Sequence, residues 1–268
     1  MGVGDRRFRV MTDLGTDISL PLDFHGDQPC HFGAPRASAV PLELGGFVGD
    51  VLRGGSCNCE MLTLVPHCNG THTESVAHLT AGASASSLAI DALIPVHLLT
   101  VPVRAAESSD ESADPGPVAG DRWVTAEALR AAAGNSRNGP QPGLVVRTLP
   151  NHEDKRVRDY GSSDTPPYFT IEAVDLVVSW GVRHLLIDLP SLDRAHDQGR
   201  LTGHRRFWGL PAAGASSAPP ARPGASITEM IFVPDRLPDG LYALSLQIAP
   251  FVSDAAPSRP LLFPLEAA

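Results

Sequence analysis

One helix-like segment that feeds straight into one strand-like segment constrains this chain's fold more than any other feature. Over residues 170–181, Ile171, Val174, Leu176, Val177 and Val178 supply an apolar helix face, and Gly181 can end the helix. Residues 184–189 follow at once as His-Leu-Leu-Ile-Asp-Leu, short, apolar and stopped by Pro190, the pattern of a buried strand. This is an αβ unit packing on a central sheet, so the class is α/β. Residues 144–148, 227–233 and 240–248 read as further strands. Residues 125–133 read as a short helix with Thr125 as its N-cap and Gly134 just past its end. Strand-rich halves around a small helical content fit a mixed sheet or curled barrel with peripheral helices better than a regular doubly wound fold.

Three stretches read as surface connections. Residues 104–115 are acidic and lack large apolar side chains, so burial cannot repay their ordering entropy. Residues 134–143 and 212–225 consist mainly of Gly, Pro, Ser, Ala and Asn, and the second reads as a mobile excursion beside a helix. Since the motifs on either side need each other, a single domain over 1–268 is expected, with loop insertions near 104–121 and 212–225. A length of 268 residues with 43% hydrophobic residues suits one soluble domain. The net charge of −9 argues against a nucleic-acid binder, which needs clustered Lys and Arg. No apolar run is long enough to cross a membrane, and Met1 to Arg7 has no apolar signal core behind it, so no membrane partner and a cytoplasmic location are expected. All four cysteines lie in the first quarter of the chain, which is not a disulfide framework. Cys57 and Cys59 are spaced too closely for a zinc knuckle, have no second pair, and read as buried or edge-strand thiols.

The chemistry concentrates in residues 67–78, His-Cys-Asn-Gly-Thr-His-Thr-Glu-Ser-Val-Ala-His. Cys68, His72, Glu74 and His78 all fall on even positions, and an extended backbone would project them onto one face. At Gly70 and Thr71 a tight turn could bring Cys68 and His72 around one ion. His67 has the opposite parity and is the weaker candidate. Isolated His and Glu residues in such a segment are usually surface residues, but four donors in register within eleven residues favour a cation site.

This stretch resembles the signature His-x-Gly-Thr-His-x-Asp-x-Pro-x-His of the cyclase family, which includes bacterial arylformamidases and isatin hydrolases. Gly70, Thr71, His72 and His78 stand as in that signature, whereas Cys68, Glu74 and Val76 replace its first His, its Asp and its Pro. A second block, residues 181–193 followed by Gly203-His204-Arg205 and Ile227-Thr228-Glu229-Met230, is similar to the family's strand, helix His and later Glu. The likeness runs from about Gly45 to Pro264 and is strongest to a subgroup carrying Asn-Gly-Thr-His-Thr-Glu.

The resemblance implies a swivelling β/β/α domain and a homodimer acting on a small-molecule substrate. It implies one or two divalent metals, Zn²⁺ ahead of Mn²⁺, on His72, Glu74, His204 and Glu229, with Cys68 as a substituted ligand and His78 as general acid/base. The activity implied is arylformamidase-like hydrolysis of an amide, lactam or ester. A metal-dependent cyclase or dehydratase of secondary metabolism, or a homologue that binds without turnover, are the alternatives. A thiolate at Cys68 would favour Zn²⁺; without it, the first ligand position is vacant or taken by His67. Phe24, Phe32, Phe47, Phe207 and Trp208 could line a pocket or pack the core. Asp188 and Asp193 could orient a metal-bound His, though Asp193 could equally cap a turn. Arg259 could anchor a substrate carboxylate or pair with a surface acid.

Overall fold

The computed structural model describes residues 1–134, 141–160, 165–216 and 218–268. Of the connections expected from composition, 135–140 and Ser217 lie outside the described residues.

Seven strands close on themselves. They are β1 (His72–Glu74), β2 (Ile94–Pro102), β3 (Gly143–Leu149), β4 (His184–Ile187), β5 (Ser226–Glu229), β6 (Gly240–Ile248) and β7 (Ala255–Ala267). Their order is β7-β6-β2-β3-β4-β5-β1, and β1 pairs with β7 again, which makes the sheet a barrel. The central four, β2 to β5, run parallel and the other pairings are antiparallel. This is the mixed, curled α/β barrel expected from the sequence.

The parallel strands are apolar on both faces because both are covered. Ile94, Val96 and Leu98 of β2 meet Val145, Leu186 and Leu244 in one core cluster. Leu99, Val101, Leu144, Val146, Leu185 and Ile187, on the alternate positions, meet the helices in another. Each such side chain contributes roughly 1.5–3 kcal/mol when fully buried.

The helices are α1 (Pro66–Asn69), α2 (Ala126–Ala133), α3 (Ile171–Ser179) and α4 (Thr202–Trp208). The Thr125 hydroxyl accepts from Ala128 N at 3.1 Å and the Thr170 hydroxyl from Ala173 N at 3.0 Å, so both helices begin where their cap residues predict. Gly134 (φ 52°) and Gly181 (φ 74°) follow the last turns in the left-handed region that glycine tolerates. Among the described residues no helix is long and apolar enough to cross a membrane.

Four expectations are corrected. Residues 104–115 are tied down: Arg104–Ala105 pairs with Arg122–Val124, and Glu111 accepts from Ala126 N and Glu127 N at the start of α2. Glu111 is held by amides at a helix N-terminus that lack partners within the helix, a polar anchor that needs no apolar burial. The excursion over 212–225 is anchored at its far end, where Arg222 N donates to Trp208 O at 3.1 Å and its guanidinium donates to the carbonyls of Phe207 and Val182. The strand expected over 227–233 ends at Glu229, because Met230 turns into the left-handed region at φ 56°. Cys57 and Cys59 are exposed thiols rather than buried ones, preceding the short strand Glu60–Thr63.

Candidate metal centre

β1 and β5 build the floor of the site. Their antiparallel register sets His72 opposite Glu229 and Glu74 opposite Ile227. Alternation turns Thr73 and Thr228 to the other face, where their hydroxyls lie 2.7 Å apart. Ile227 belongs to the helix-side core with Phe207 and Trp208, so Glu229, two residues on, also faces α4.

α4 supplies the roof. Asp193 accepts from the amides of Gly203 (2.7 Å) and His204 (3.0 Å) and from His204 Nδ1 (2.6 Å). One carboxylate thus caps the helix and fixes the ring, which combines both roles considered for it. A Cβ on Gly203 would stand 3.0 Å from Asp193 Oδ1, so glycine suits this close approach. Asp188 plays no such part, being engaged by Lys155 Nζ at 2.8 Å and by Thr148.

Four side chains converge between floor and roof. His204 Nε2 lies 2.9 Å from Glu74 Oε1 and 3.6 Å from Glu229 Oε1, and His72 Nε2 lies 3.3 Å from Glu229 Oε2. His72 Nδ1 lies 2.9 Å from the Gly70 carbonyl. All four residues are buried, yet neither Glu74 oxygen nor His72 Nε2 makes a well-aligned hydrogen bond. Leaving such groups unpaired costs about 1–3 kcal/mol each, and more when charged. Imidazoles held through Nδ1 by a carboxylate or a carbonyl, with Nε2 turned to carboxylates, are the donor set that a divalent cation takes. The residues therefore fit such a cation.

The electrostatics agree. Burial opposes charge on His204, but the carboxylates of Glu74, Asp193 and Glu229 outweigh it and raise its pKa well above the ordinary value. Burial likewise opposes charge on His72, and Glu229 and Glu74 raise its pKa. Burial works against the Glu229 carboxylate too, yet His204 and His72 bring its pKa down.

A second donor group adjoins the first. His67 Nε2 and His78 Nδ1 lie 2.8 and 3.3 Å from Asp254 Oδ2. Both rings also face Glu74 Oε2, His67 Nδ1 at 3.5 Å and His78 Nδ1 at 4.0 Å. Among the described residues, His67, His78 and Asp254 form one set of three mutually close donors, and Glu74, His204 and Glu229 another.

Cys68 belongs to neither set. It sits in α1, which Pro66 opens, and not on an extension of β1. Burial, with Cys30 and Glu229 nearby, pushes its thiol pKa up to about 11. Gly70 is extended (φ 165°) where a glycine turn was expected, a conformation open to any residue. His78 stands on the 3-10 turn Val76–His78, which Ser75 caps, and so also lies off the strand.

His67, Glu74, His78, His204 and Glu229 border a cavity of about 180 Å³ whose other walls include His31, Phe32, Pro190 and Leu201. Phe32, His78 and Leu201 also line an adjoining hollow of about 570 Å³. Phe32 (φ 57°) and Leu201 (φ 47°) are non-glycine residues in the left-handed region, the kind of strain that collects at functional sites. His31 is buried with both ring nitrogens unpaired, and burial lowers its pKa to about 4. Phe207 and Trp208 are core residues, and Arg259 pairs with Asp17 at 2.7 Å on the surface. A hollow of about 450 Å³ beside Leu176 and Trp180 is lined, among the described residues, by no carboxylate.

Residues 16–194 match the sequence model of the family described as Putative cyclase, a span covering most of the chain. The chain belongs to the cyclase family. The matched span holds β1 and Asp193, while His204 and Glu229 lie beyond it. Isatin hydrolase A from Labrenzia aggregata shares this cyclase-family fold at TM-score 0.64 and 16% identity, over 94% of each chain. A potential metal-dependent hydrolase with cyclase activity is similar at TM-score 0.61 and 17% identity, over 93% of this chain and 96% of its own. A predicted metal-dependent hydrolase from Bacillus stearothermophilus aligns at TM-score 0.58 and 15% identity, over 93% and 97%. No curated protein matches the sequence.

Sequence reasoning missed Asp254 and His31 and undervalued His67. Asp254 is 176 residues from the ring it holds, and nothing in its own neighbourhood marks it. Strand parity makes His67 the weaker candidate, an argument that lapses once α1 replaces the strand.

Proposed function

We propose that this chain is a metal-dependent hydrolase acting on an amide, lactam or ester bond of a small substrate, as arylformamidases do, and that it works as a homodimer. The observation that carries the reading is Glu74, a buried carboxylate with both oxygens free of aligned hydrogen bonds, facing His204 on one side and joined there by Glu229 and His72. Cyclase-family neighbours named as metal-dependent hydrolases and isatin hydrolases support it.

His72, Glu74, His204 and Glu229 would hold the cation. It would supply a Lewis acid for the substrate carbonyl and lower the pKa of an adjacent water. With Cys68 outside the donor groups, the argument for Zn²⁺ from a thiolate lapses, and two imidazoles with two carboxylates suit Mn²⁺ as well. His78 is the proton carrier: Asp254 fixes its Nδ1, which leaves Nε2 to take a proton from water and return it to the leaving nitrogen or oxygen. Phe32 and Leu201 give the substrate an apolar wall, and the cavity's size limits that substrate to a small molecule.

The test is a panel of N-formyl aryl amides, cyclic imides and lactones offered to metal-loaded protein. Turnover of at least one class is expected, and His78→Ala should lower kcat by about 10²–10⁴-fold while the tightly bound equivalent of metal stays. Loaded wild-type protein that turns over none of them would leave a binding protein in place of an enzyme.

A further inference from the structure

α2 closes on the run Arg130-Ala131-Ala132-Ala133-Gly134, so its last turn sets no large apolar side chain against α3. The space is left as the hollow of about 450 Å³ beside Leu176 and Trp180, floored by Leu99 of β2 and Leu144 of β3. Close-packed interiors leave few voids larger than a water molecule, and this volume is in the range of small-molecule pockets. The hollow lies at the opposite end of the parallel strands from the candidate metal centre. Gly143, which opens β3, and Val182, which precedes β4, both line it, whereas Glu229 closes β5.

The charge of the hollow is one-sided. Arg130 lines it from α2, is exposed, and makes no ion pair among the described residues. His97 lines it too, but burial lowers the pKa of that ring, so the positive charge near neutrality is that of Arg130. Opposite partial charge comes from the carbonyls that end α2 and α3. Some of these are occupied, since Gly134 N donates to Arg130 O at 3.0 Å, Trp180 N to Leu176 O at 3.0 Å and Gly181 N to Val178 O at 2.9 Å. A guanidinium only donates, and its planar fork matches the two oxygens of a carboxylate. Trp180 adds a flat apolar wall.

We propose that this hollow is a second ligand site, for a small planar aromatic carboxylate that lies along Trp180 and Leu176 and meets Arg130 with its anionic end. The site stands whether or not the candidate metal centre holds a cation. A neutral molecule of the same shape gains the apolar burial alone, and the carboxylate adds an ion pair to it.

The experiment is isothermal titration calorimetry of the full chain with cinnamate and with its neutral analogue cinnamamide, before and after metal removal by a chelator. Metal removal separates this site from a carboxylate bound to a cation. Cinnamate should bind at one equivalent in both preparations, with a Kd on the order of 0.1–1 mM for a ligand of this size. Arg130→Gln should weaken cinnamate about fivefold, the worth of an ion pair open to water, and leave cinnamamide unchanged. Arg130→Lys should recover part of that loss. Ala133→Phe, which sets a ring into the hollow, should abolish binding of both ligands. If thermal melting shows that Ala133→Phe or the metal-free protein does not fold, the Arg130 variants in metal-bearing protein decide. Failure of cinnamate to saturate wild-type protein, or equal affinity for it in wild type and Arg130→Gln, would overturn the proposal. So would cinnamate binding that vanishes with the metal from protein that stays folded. Each of these results leaves the proposed hydrolase untouched.

Discussion

His67 and Cys68, neighbours in sequence, exchange the places that strand spacing would give them. Even-numbered parity holds only where the backbone is extended, and that is the three residues of β1, so it sets His72 and Glu74 on one face. Upstream, Pro66 starts a helical turn that rotates Cys68 away and brings His67 to Glu74. Cys68→Ser should therefore leave the tightly bound equivalent of metal in place, as elemental analysis after gel filtration would show; its loss would return the thiol to the ligand set. The same measurement across pH checks the electrostatics. The pKa values of His204 and His72 are raised in the protein without a cation, so protons compete with metal for both rings. Affinity should fall as pH drops through the raised pKa values of these rings, with protons released on binding wherever the rings are protonated. A flat profile from pH 8 to 6 would contradict the assignment of these rings. Asp254 was not legible at this scale, because a lone Asp shows its place only through partners far away in the chain, here His67 and His78.

Helix ends were legible because capping is local. Thr125 announces α2, and Gly134 and Gly181 close α2 and α3, while the Thr170 cap of α3 is seen in the fold. The segment before α2 was misread because its composition was judged by apolar burial alone. Glu111 joins the two helices, accepting from the first amides of α2 and from the Thr170 hydroxyl at 2.5 Å, while Glu172 accepts from Ser112 N and its hydroxyl. Thr170→Ala removes the cap of α3 and one partner of Glu111, and should cost about 1–2 kcal/mol. That corresponds to a loss of roughly 2–8 °C in the melting temperature of a domain this size. A variant that melts with the wild type would show that the cap contributes nothing. The end of β5 was not legible, since Met230 takes a left-handed conformation with no glycine to signal it.

The α/β class follows from the helix-to-strand order in the sequence, but the closure of the barrel does not. β1 is three residues long and pairs with β5 and β7, more than 150 positions further along the chain, contacts that no local pattern encodes. The arm over residues 38–63 is a second feature of the whole molecule. Among the described residues its strands Ser38–Pro41 and Glu60–Thr63 pair only with each other, and Val40, Leu44, Leu52, Met61 and Leu62 are exposed on it. A two-stranded ribbon is marginal in water, and clustered exposed apolar side chains mark an interaction surface. The proposed homodimer gives them a cover. Met61→Lys with Leu62→Lys should then shift the light-scattering mass from two chains to one, whereas a wild-type protein that already runs as one chain would exclude this interface.

His72 and Glu74 would serve the architecture and the proposed chemistry at once, since the strand that sews β5 to β7 is also the one that carries them. An ion gripping Glu74, His204 and Glu229 would act as a rivet through the seam of the barrel, with α4 pinned on top of it. The scaffold and its reactive centre then stand or fall together, and such a protein cannot easily drift to another chemistry without first finding another way to fasten its own wall.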